Sequence, residues 1–85
     1  MKKIIIIYAL LGLAALYSST DILYLKADYL SGLVKIQWQS SSEVNVKEFV
    51  IEKSSDNISF YKLTSEMPKG SSSAYTIFDL DPHSK

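Results

Sequence analysis

The stretch IQWQSSSEVNVKEFVIEKSSDN, residues Ile36–Asn57, carries the clearest pattern in this 85-residue chain. At its start, Val34, Ile36 and Trp38 alternate with polar residues. An alternation with a period of two is typical of a β-strand that buries one face, whereas a helix would scatter the same apolar residues around its circumference. The sequence therefore predicts a strand from Leu33 to Gln39 with Trp38 on its buried face.

A second patterned run follows the polar connection Ser40–Glu48. Phe49 and Ile51 share one face of this run, and the cluster Ser54–Asn57 ends it. Asp and Asn favour turns because their side chains bond to the local backbone and tolerate left-handed conformations. The opening stretch therefore predicts two strands joined by a polar segment, with no catalytic group in either strand.

The remaining chain shows the same alternation of short strands and turn signals. Ser31-Gly32 and the loop Met67–Ser73 are turn signals, and further strands are expected at Ile22–Asp28, Ile58–Glu66 and Ala74–Leu80. About five short strands without a helix of useful length predict an all-β fold, and their spacing predicts a β-sandwich.

The N-terminus has a different character. MKKIIIIYALLGLAALYSST opens with two lysines, continues with an apolar run from Ile4 to Tyr17, and ends in small polar residues. This is the layout of a secretory signal peptide, and the run is short for the ~20 residues that span a bilayer as a helix. We therefore expect a hydrophobic signal helix in residues 1–20, cleaved near Thr20; an uncleaved membrane anchor is the alternative.

Composition excludes several classes of function. The chain has no cysteine, so it has neither a disulfide framework nor a thiolate metal site. Its formal net charge is zero and it contains no arginine, which argues against a nucleic-acid surface. No cofactor is expected. Export to the cell surface or the medium, or to the periplasm, follows from the signal peptide.

Residues 34–63 and AYTIFDLDP, residues 74–82, resemble a fibronectin type III-like module of the kind found in proteins exported by the type IX secretion system of Bacteroidetes. The resemblance covers about Leu23 to Pro82, with Asn57 where the family usually has Gly and Lys53 where it usually has Arg. It implies an incomplete fibronectin type III or immunoglobulin-like sandwich in residues 21–85. The resemblance and the alternation together define a core of Val34, Ile36, Trp38, Phe49, Ile51, Phe60, Tyr75 and Ile77, and the resemblance adds a turn and loop signature of Ser42, Glu43, Asn45, Asp56, Asp79 and Pro82.

The family continues past Pro82 with two more strands, one of which pairs with the strand at Phe49–Ser54. We therefore expect Phe49–Ser54 to be an open sheet edge, which a partner protein or a second copy of the chain can extend by β-strand pairing. Membrane contact is expected only through an uncleaved N-terminal segment. A fragment of a longer protein and a chain that does not fold stably are the other interpretations.

Residues with chemical potential are few. His83 is the only histidine, and no acid is placed to orient it. Asp56, Asp79 and Asp81 fall short of the six to eight oxygens that Ca²⁺ takes, and turn roles are preferred. Glu43, Glu48 and Glu52 are weak candidates for paired carboxylates. The exposed aromatics Tyr24, Tyr29 and Tyr61 are better candidates for a binding face.

No catalytic residue is therefore predicted. The sequence predicts a non-catalytic secreted or cell-surface module with a structural, adhesive or spacer role. The alternatives are an accessory module of a larger secreted enzyme or adhesin, and a small protein that binds a partner strand through its open edge.

Overall fold

The computed structural model describes residues 2–9, 14–17, 22–43, 45–56 and 58–82, and every regular element in them is a strand. Within these ranges no helix is long and apolar enough to cross a membrane. The strands are β1 (Lys2–Ala9), β2 (Ala14–Tyr17), β3 (Ile22–Leu30), β4 (Leu33–Ser40), β5 (Val46–Ser54), β6 (Tyr61–Glu66) and β7 (Ala74–Asp79).

The strands form two sheets. One sheet has the order β3-β4-β7 and is antiparallel throughout. The other has the order β2-β1-β5-β6, in which β1 runs parallel to β5 and the remaining neighbours are antiparallel. The chain changes sheet between β2 and β3, between β4 and β5, and again between β6 and β7.

A tight turn joins β3 to β4 and fixes their register. Leu30 pairs with Leu33, and both intervening residues have positive φ, 47° at Ser31 and 92° at Gly32. Two-residue hairpin turns of this kind suit the right-handed twist of the strands, and glycine adopts positive φ at low cost. The turn thereby places Val34, Ile36 and Trp38 on one face of the sheet.

The core lies between the two sheets. Trp38 stacks on its cross-strand neighbour Tyr75, with ring centroids 4.9 Å apart, and Phe49 from the other sheet tilts against both rings at 5.7 and 5.0 Å. Offset and tilted aromatic pairs stabilise a fold beyond their buried area. The buried apolar residues of the core cluster are Ile4, Ile6, Tyr8, Ile22, Val34, Ile36, Trp38, Val46, Phe49, Ile51, Tyr75 and Ile77.

The N-terminal segment differs from the expected signal helix. Its described parts, Lys2–Ala9 and Ala14–Tyr17, are strands, and β1 lies directly beside β5. A run of branched aliphatic residues fits a strand that is covered on both faces as well as it fits an apolar helix, so the run by itself does not separate the two. β5 consequently has a neighbour on each side while β1 is in place, β1 on one side and β6 on the other. The open edge at Phe49–Ser54 was expected of residues 21–85 alone, and for them it stays a prediction.

The expected strand Ile58–Glu66 is shorter in the structure, and Phe60 is not a core residue. β6 begins at Tyr61, and Phe60 precedes it with 39% of its surface exposed. Asp56 holds the turn after β5 together and accepts hydrogen bonds from the N–H groups of Ile58 and Ser59. These bonds keep the chain in the turn, so Phe60 lies outside the inward-facing alternation.

Candidate functional site

The seam between β1 and β5 is the feature that ties the two ends of the sequence together. The strands pair from Lys2 opposite Val46 to Ala9 opposite Ser54, with one irregularity near Lys3. At its first end the Lys3 ammonium lies 3.5 Å from the Glu48 carboxylate. Lys3 is largely exposed, so this ion pair contributes little to stability.

Alternate residues of β1 enter the core. Ile4, Ile6 and Tyr8 are almost fully buried, whereas Ile5 and Ile7 are only partly buried. In the register of the pair, Ile4 lies opposite Phe49, Ile6 opposite Ile51 and Tyr8 opposite Lys53. β1 therefore continues the inward apolar face of β5 across the sheet.

The seam ends at a buried carboxylate, Asp79. Its Oδ2 accepts a hydrogen bond from the Tyr8 hydroxyl and forms an ion pair with the Lys53 ammonium, whose nitrogen lies 3.0 Å away. Lys53 also donates to the Asp81 carbonyl oxygen at 2.9 Å, and the Asp81 N–H donates to Asp79 Oδ1 at 3.1 Å. Burial first, and the carboxylate second, raise the pKa of the Tyr8 hydroxyl far above its ordinary value. Tyr8 is therefore a stable neutral donor to Asp79.

A second buried carboxylate, Glu43, lies in the connection between β4 and β5. Ser40 and Tyr75 donate their hydroxyl hydrogens to its Oε2, both at 2.6 Å. The Gly70 N–H donates to Oε1 at 2.7 Å, and the Glu43 N–H donates to the Ser71 hydroxyl at 3.0 Å. Glu43 thus fastens the β4–β5 connection to the loop before β7.

The environment of Glu43 shifts two pKa values in opposite directions. Burial alone raises the pKa of the Glu43 carboxyl, but the hydrogen bonds from Ser40, Tyr75 and the backbone outweigh it, and the net pKa is lowered. Burial and the bond to Glu43 raise the pKa of Tyr75 to about 12. Both shifts favour a charged Glu43 beside a neutral Tyr75.

The other signature residues serve local turns. Asp56 accepts hydrogen bonds from the N–H groups of Ser59 and Ile58 and, at 3.0 Å, from the hydroxyl of Ser54 at the end of β5, and these bonds lower the pKa of its carboxyl. Asn45 has a φ of 62°, which this residue type tolerates better than most. Ser42 lies partly buried beside Glu43, and Pro82 is buried after β7.

Several candidate sites are not assembled in the described part of the chain. Glu43 is enclosed by its own donors, and Glu48 faces Lys3. The described residues contain no group of three or more metal-ligating His, Cys, Asp or Glu side chains and no pocket. His83 lies outside the described residues.

The three tyrosines proposed as a binding face do not share one surface. Tyr24, Tyr29 and Tyr61 are each exposed by 40–45%. Tyr24 and Tyr29 are five residues apart on β3 and therefore point to opposite faces of the sheet, and Tyr61 belongs to the other sheet.

Sequence reasoning missed Lys53 and Tyr8 as members of a buried polar group. Lys53 follows Phe49 and Ile51 in phase, so the alternation alone places a lysine on the inward face. A buried lysine needs a carboxylate partner, and Asp79 occupies an inward position next to Ile77 and Tyr75 in the same phase. No comparable signal was available for Tyr8, because it lies inside an apolar run.

Comparison with known proteins gives no match to a family model, to a curated protein or to a solved structure.

Proposed function

We propose that the chain is an exported, non-catalytic module whose residues 21–85 form a fibronectin type III-like β-sandwich and whose residues 1–20 direct export. It acts as a spacer or interaction module at the cell surface or in the surrounding medium. The signal-peptide layout of the N-terminus supports export, and the two packed sheets support the module.

The observation that carries this proposal is that Glu43 and Asp79, the two carboxylates of the loop signature that are buried, bond to other parts of the fold and are not open to a substrate. Glu43 and Asp79 are buried, and their oxygens accept hydrogen bonds from loops and strands that are distant in sequence. A carboxylate enclosed in this way is occupied in holding the fold. The signature therefore specifies a scaffold, and a scaffold with exposed loops is suited to spacing or contact.

Export would remove the N-terminal segment, whereas the observed fold uses it in the core. While residues 1–20 are attached, Ile4, Ile6 and Tyr8 fill the core beside β5. Burial of one large apolar side chain contributes about 1.5–3 kcal/mol, and a small domain has a total stability of ~5–15 kcal/mol. Removal of three such side chains therefore leaves a processed chain that is far less stable than the complete one.

Expression with residues 1–20 present, followed by cell fractionation and intact-mass measurement, tests the proposal. We expect the protein in the medium, on the surface or in the periplasm, with a mass that lacks residues up to about Thr20. A full-length chain confined to the cytoplasm would overturn the proposed function. A variant with Ile6 and Ile7 both replaced by Lys serves as the control, because charges interrupt the apolar run that export signals require.

A second candidate function is strand acceptance, which is favoured by the pairing of β5 with the segment that export would remove. In that case the processed module captures a strand from a partner or from its own copy. Light scattering of the processed chain distinguishes the two candidates, since a monodisperse folded monomer contradicts strand acceptance.

An accessory module within a larger secreted enzyme or adhesin is the remaining alternative. The coding sequence downstream of Lys85 tests it. Two further strand-forming segments in the same reading frame would support this alternative.

A further inference from the structure

β1 occupies the edge of β5 while residues 1–20 are attached. We infer that, once they are removed, this edge is a groove for an extended segment of a partner protein. That segment presents apolar residues at alternate positions followed by a tyrosine. This inference deepens the strand-accepting candidate and rests on the proposed removal of residues 1–20.

The groove has a backbone edge and an apolar floor. β5 bonds β1 along its whole length, from Val46 to Ser54. The inward side chains of Phe49 and Ile51 flank the groove. Trp38 of the facing sheet contacts Phe49 and belongs to the same core cluster as the groove residues, so it contributes to the apolar floor. An occupant therefore gains a continuous set of backbone hydrogen bonds and buries every second side chain.

β1 shows which side chains the groove accepts. Ile4 is 1% exposed and Ile6 is fully buried, so these two positions require apolar side chains that fit the floor. Ile5 and Ile7 point away and are only partly buried, so their positions tolerate substitution. The groove thus discriminates between side chains one residue apart.

The far end of the groove selects a hydroxyl donor. The Tyr8 hydroxyl reaches Asp79, whose charge is balanced by Lys53 at 3.0 Å. A phenylalanine at this position would leave the Asp79 oxygen without one of its donors, and an acidic side chain would be repelled by Asp79. The position therefore distinguishes tyrosine from other residues of similar size.

The near end favours a basic residue. Lys3 lies 3.5 Å from Glu48 at the rim, immediately before the first buried position. In the direction parallel to β5, the preferred segment is therefore a basic residue, an apolar residue, any residue, an apolar residue, any residue and a tyrosine.

The test uses the full chain with a protease site placed at residues 18–20. The site is cut after folding, so that the N-terminal piece is still paired with β5 when the experiment starts. A fluorescent peptide with the sequence KKIIIIYA, residues 2–9, is then added, and its uptake is followed by anisotropy and native mass spectrometry. We expect one peptide per protein, with release of residues 1–18.

Matched peptide variants decide the mode of binding. Ile6→Ser in the peptide is expected to weaken binding more than about tenfold, because it removes a fully buried apolar group. Ile5→Ser, one position away, is expected to change binding less than about threefold. Tyr8→Phe is expected to weaken binding about tenfold through loss of the bond to Asp79.

Circular dichroism of the cut protein separates the outcomes. A folded cut protein that takes up no peptide, or that binds the Ile5 and Ile6 variants equally, overturns the groove. So does a cut protein that forms dimers closed to the peptide. If release of the N-terminal piece unfolds the remainder, excess KKIIIIYA must restore the β-sheet spectrum, and failure to do so also overturns the inference. None of these results alters the fractionation test, so failure of the groove and failure of the proposed export are distinguishable.

Discussion

Glu43 and Asp79, the two buried carboxylates among the described residues, are held in different ways. Glu43 accepts hydrogen bonds from Ser40, Tyr75 and the loop around Gly70, all of which lie in the stretch of sequence from β4 to β7. Asp79 draws one of its donors from Tyr8, 71 residues away in the N-terminal segment. The Glu43 site is therefore complete without residues 1–20, whereas the Asp79 site depends on them.

The difference shows that the two sheets depend on different parts of the sequence. The β3-β4-β7 sheet and the Glu43 site come from one continuous stretch of sequence. The other sheet takes β1 and β2 from the apolar N-terminal segment. The hydrogen bonds of Glu43 therefore depend only on residues from β4 to β7. Those of Asp79 depend in part on the N-terminal strand.

The largest effect is expected from Asp79→Ala in the full chain. The substitution removes the carboxylate that neutralises the buried Lys53 ammonium, and such a loss costs about 3–5 kcal/mol of unfolding free energy. Urea denaturation measures it. Asp28→Ala, on the exposed surface of β3, is the control and is expected to change stability by less than about 0.5 kcal/mol. Equal effects of the two substitutions would show that Asp79 does not hold the fold.

Glu43→Gln is expected to have the next largest effect. The amide keeps the shape but replaces an acceptor oxygen with a donor group, so at least one of the bonds from Ser40, Tyr75 and Gly70 is lost. An unsatisfied buried polar group costs about 1–3 kcal/mol. Glu52→Gln on the outward face of β5 is the matched control. A Glu43→Gln variant as stable as this control would contradict the proposed role of Glu43 as a fastener.

Tyr8→Phe tests whether the Asp79 site uses the N-terminal segment. Asp79 retains Lys53 and the Asp81 N–H, so the expected loss is about 1.5 kcal/mol in the full chain, the lower end of the range for one hydrogen bond to a charged group. Thermal and urea unfolding measure the loss. Tyr24→Phe, at an exposed site on β3, is the control. No difference between Tyr8→Phe and Tyr24→Phe would place β1 outside the folded core.

Acid unfolding is expected to give the smallest effect and to test whether Glu43 is charged in the folded chain. The pKa of Glu43 is lower in the folded chain than its ordinary value of 4.5, so its carboxylate contributes stability that is present above pH 4.5. That contribution is lost as the pH falls through the lower folded-state value. Urea titrations from pH 7 to pH 3 should therefore show a steeper decline for the wild type than for Glu43→Gln. Parallel curves for the two proteins would argue against a charged Glu43 in the fold.

Much of the fold could be predicted because period-two alternation reports directly on burial in a sheet. Val34, Ile36, Trp38, Phe49, Ile51, Tyr75 and Ile77 are all buried, and five of the seven strands lie where alternation and turn signals place them. The prediction that Phe60 belongs to the core was wrong. Phe60 is apolar like a core residue, but it directly follows the turn that Asp56 stabilises and precedes β6. Alternation cannot locate where a strand starts when a turn captures its first residues.

The candidate site could be predicted only in part. Glu43 and Asp79 were singled out by the loop signature. Several of their hydrogen-bond donors are distant in sequence, and no short-range pattern connects those positions to the carboxylates. The continuous apolar run of β1 conceals which of its residues face the core, since only Ile4, Ile6 and Tyr8 are fully buried.

The sequence by itself determined the all-β class, the strands β3–β7 and the inward position of Trp38, because local alternation and turn chemistry decide these features residue by residue. Only the tertiary structure decided what lies beside β5. An apolar segment can be an export signal or a core strand with the same residues, and the choice depends on whether a complementary edge is within reach of it. In this structure β1 pairs with β5, and the Tyr8 hydroxyl donates a hydrogen bond to the buried Asp79 carboxylate.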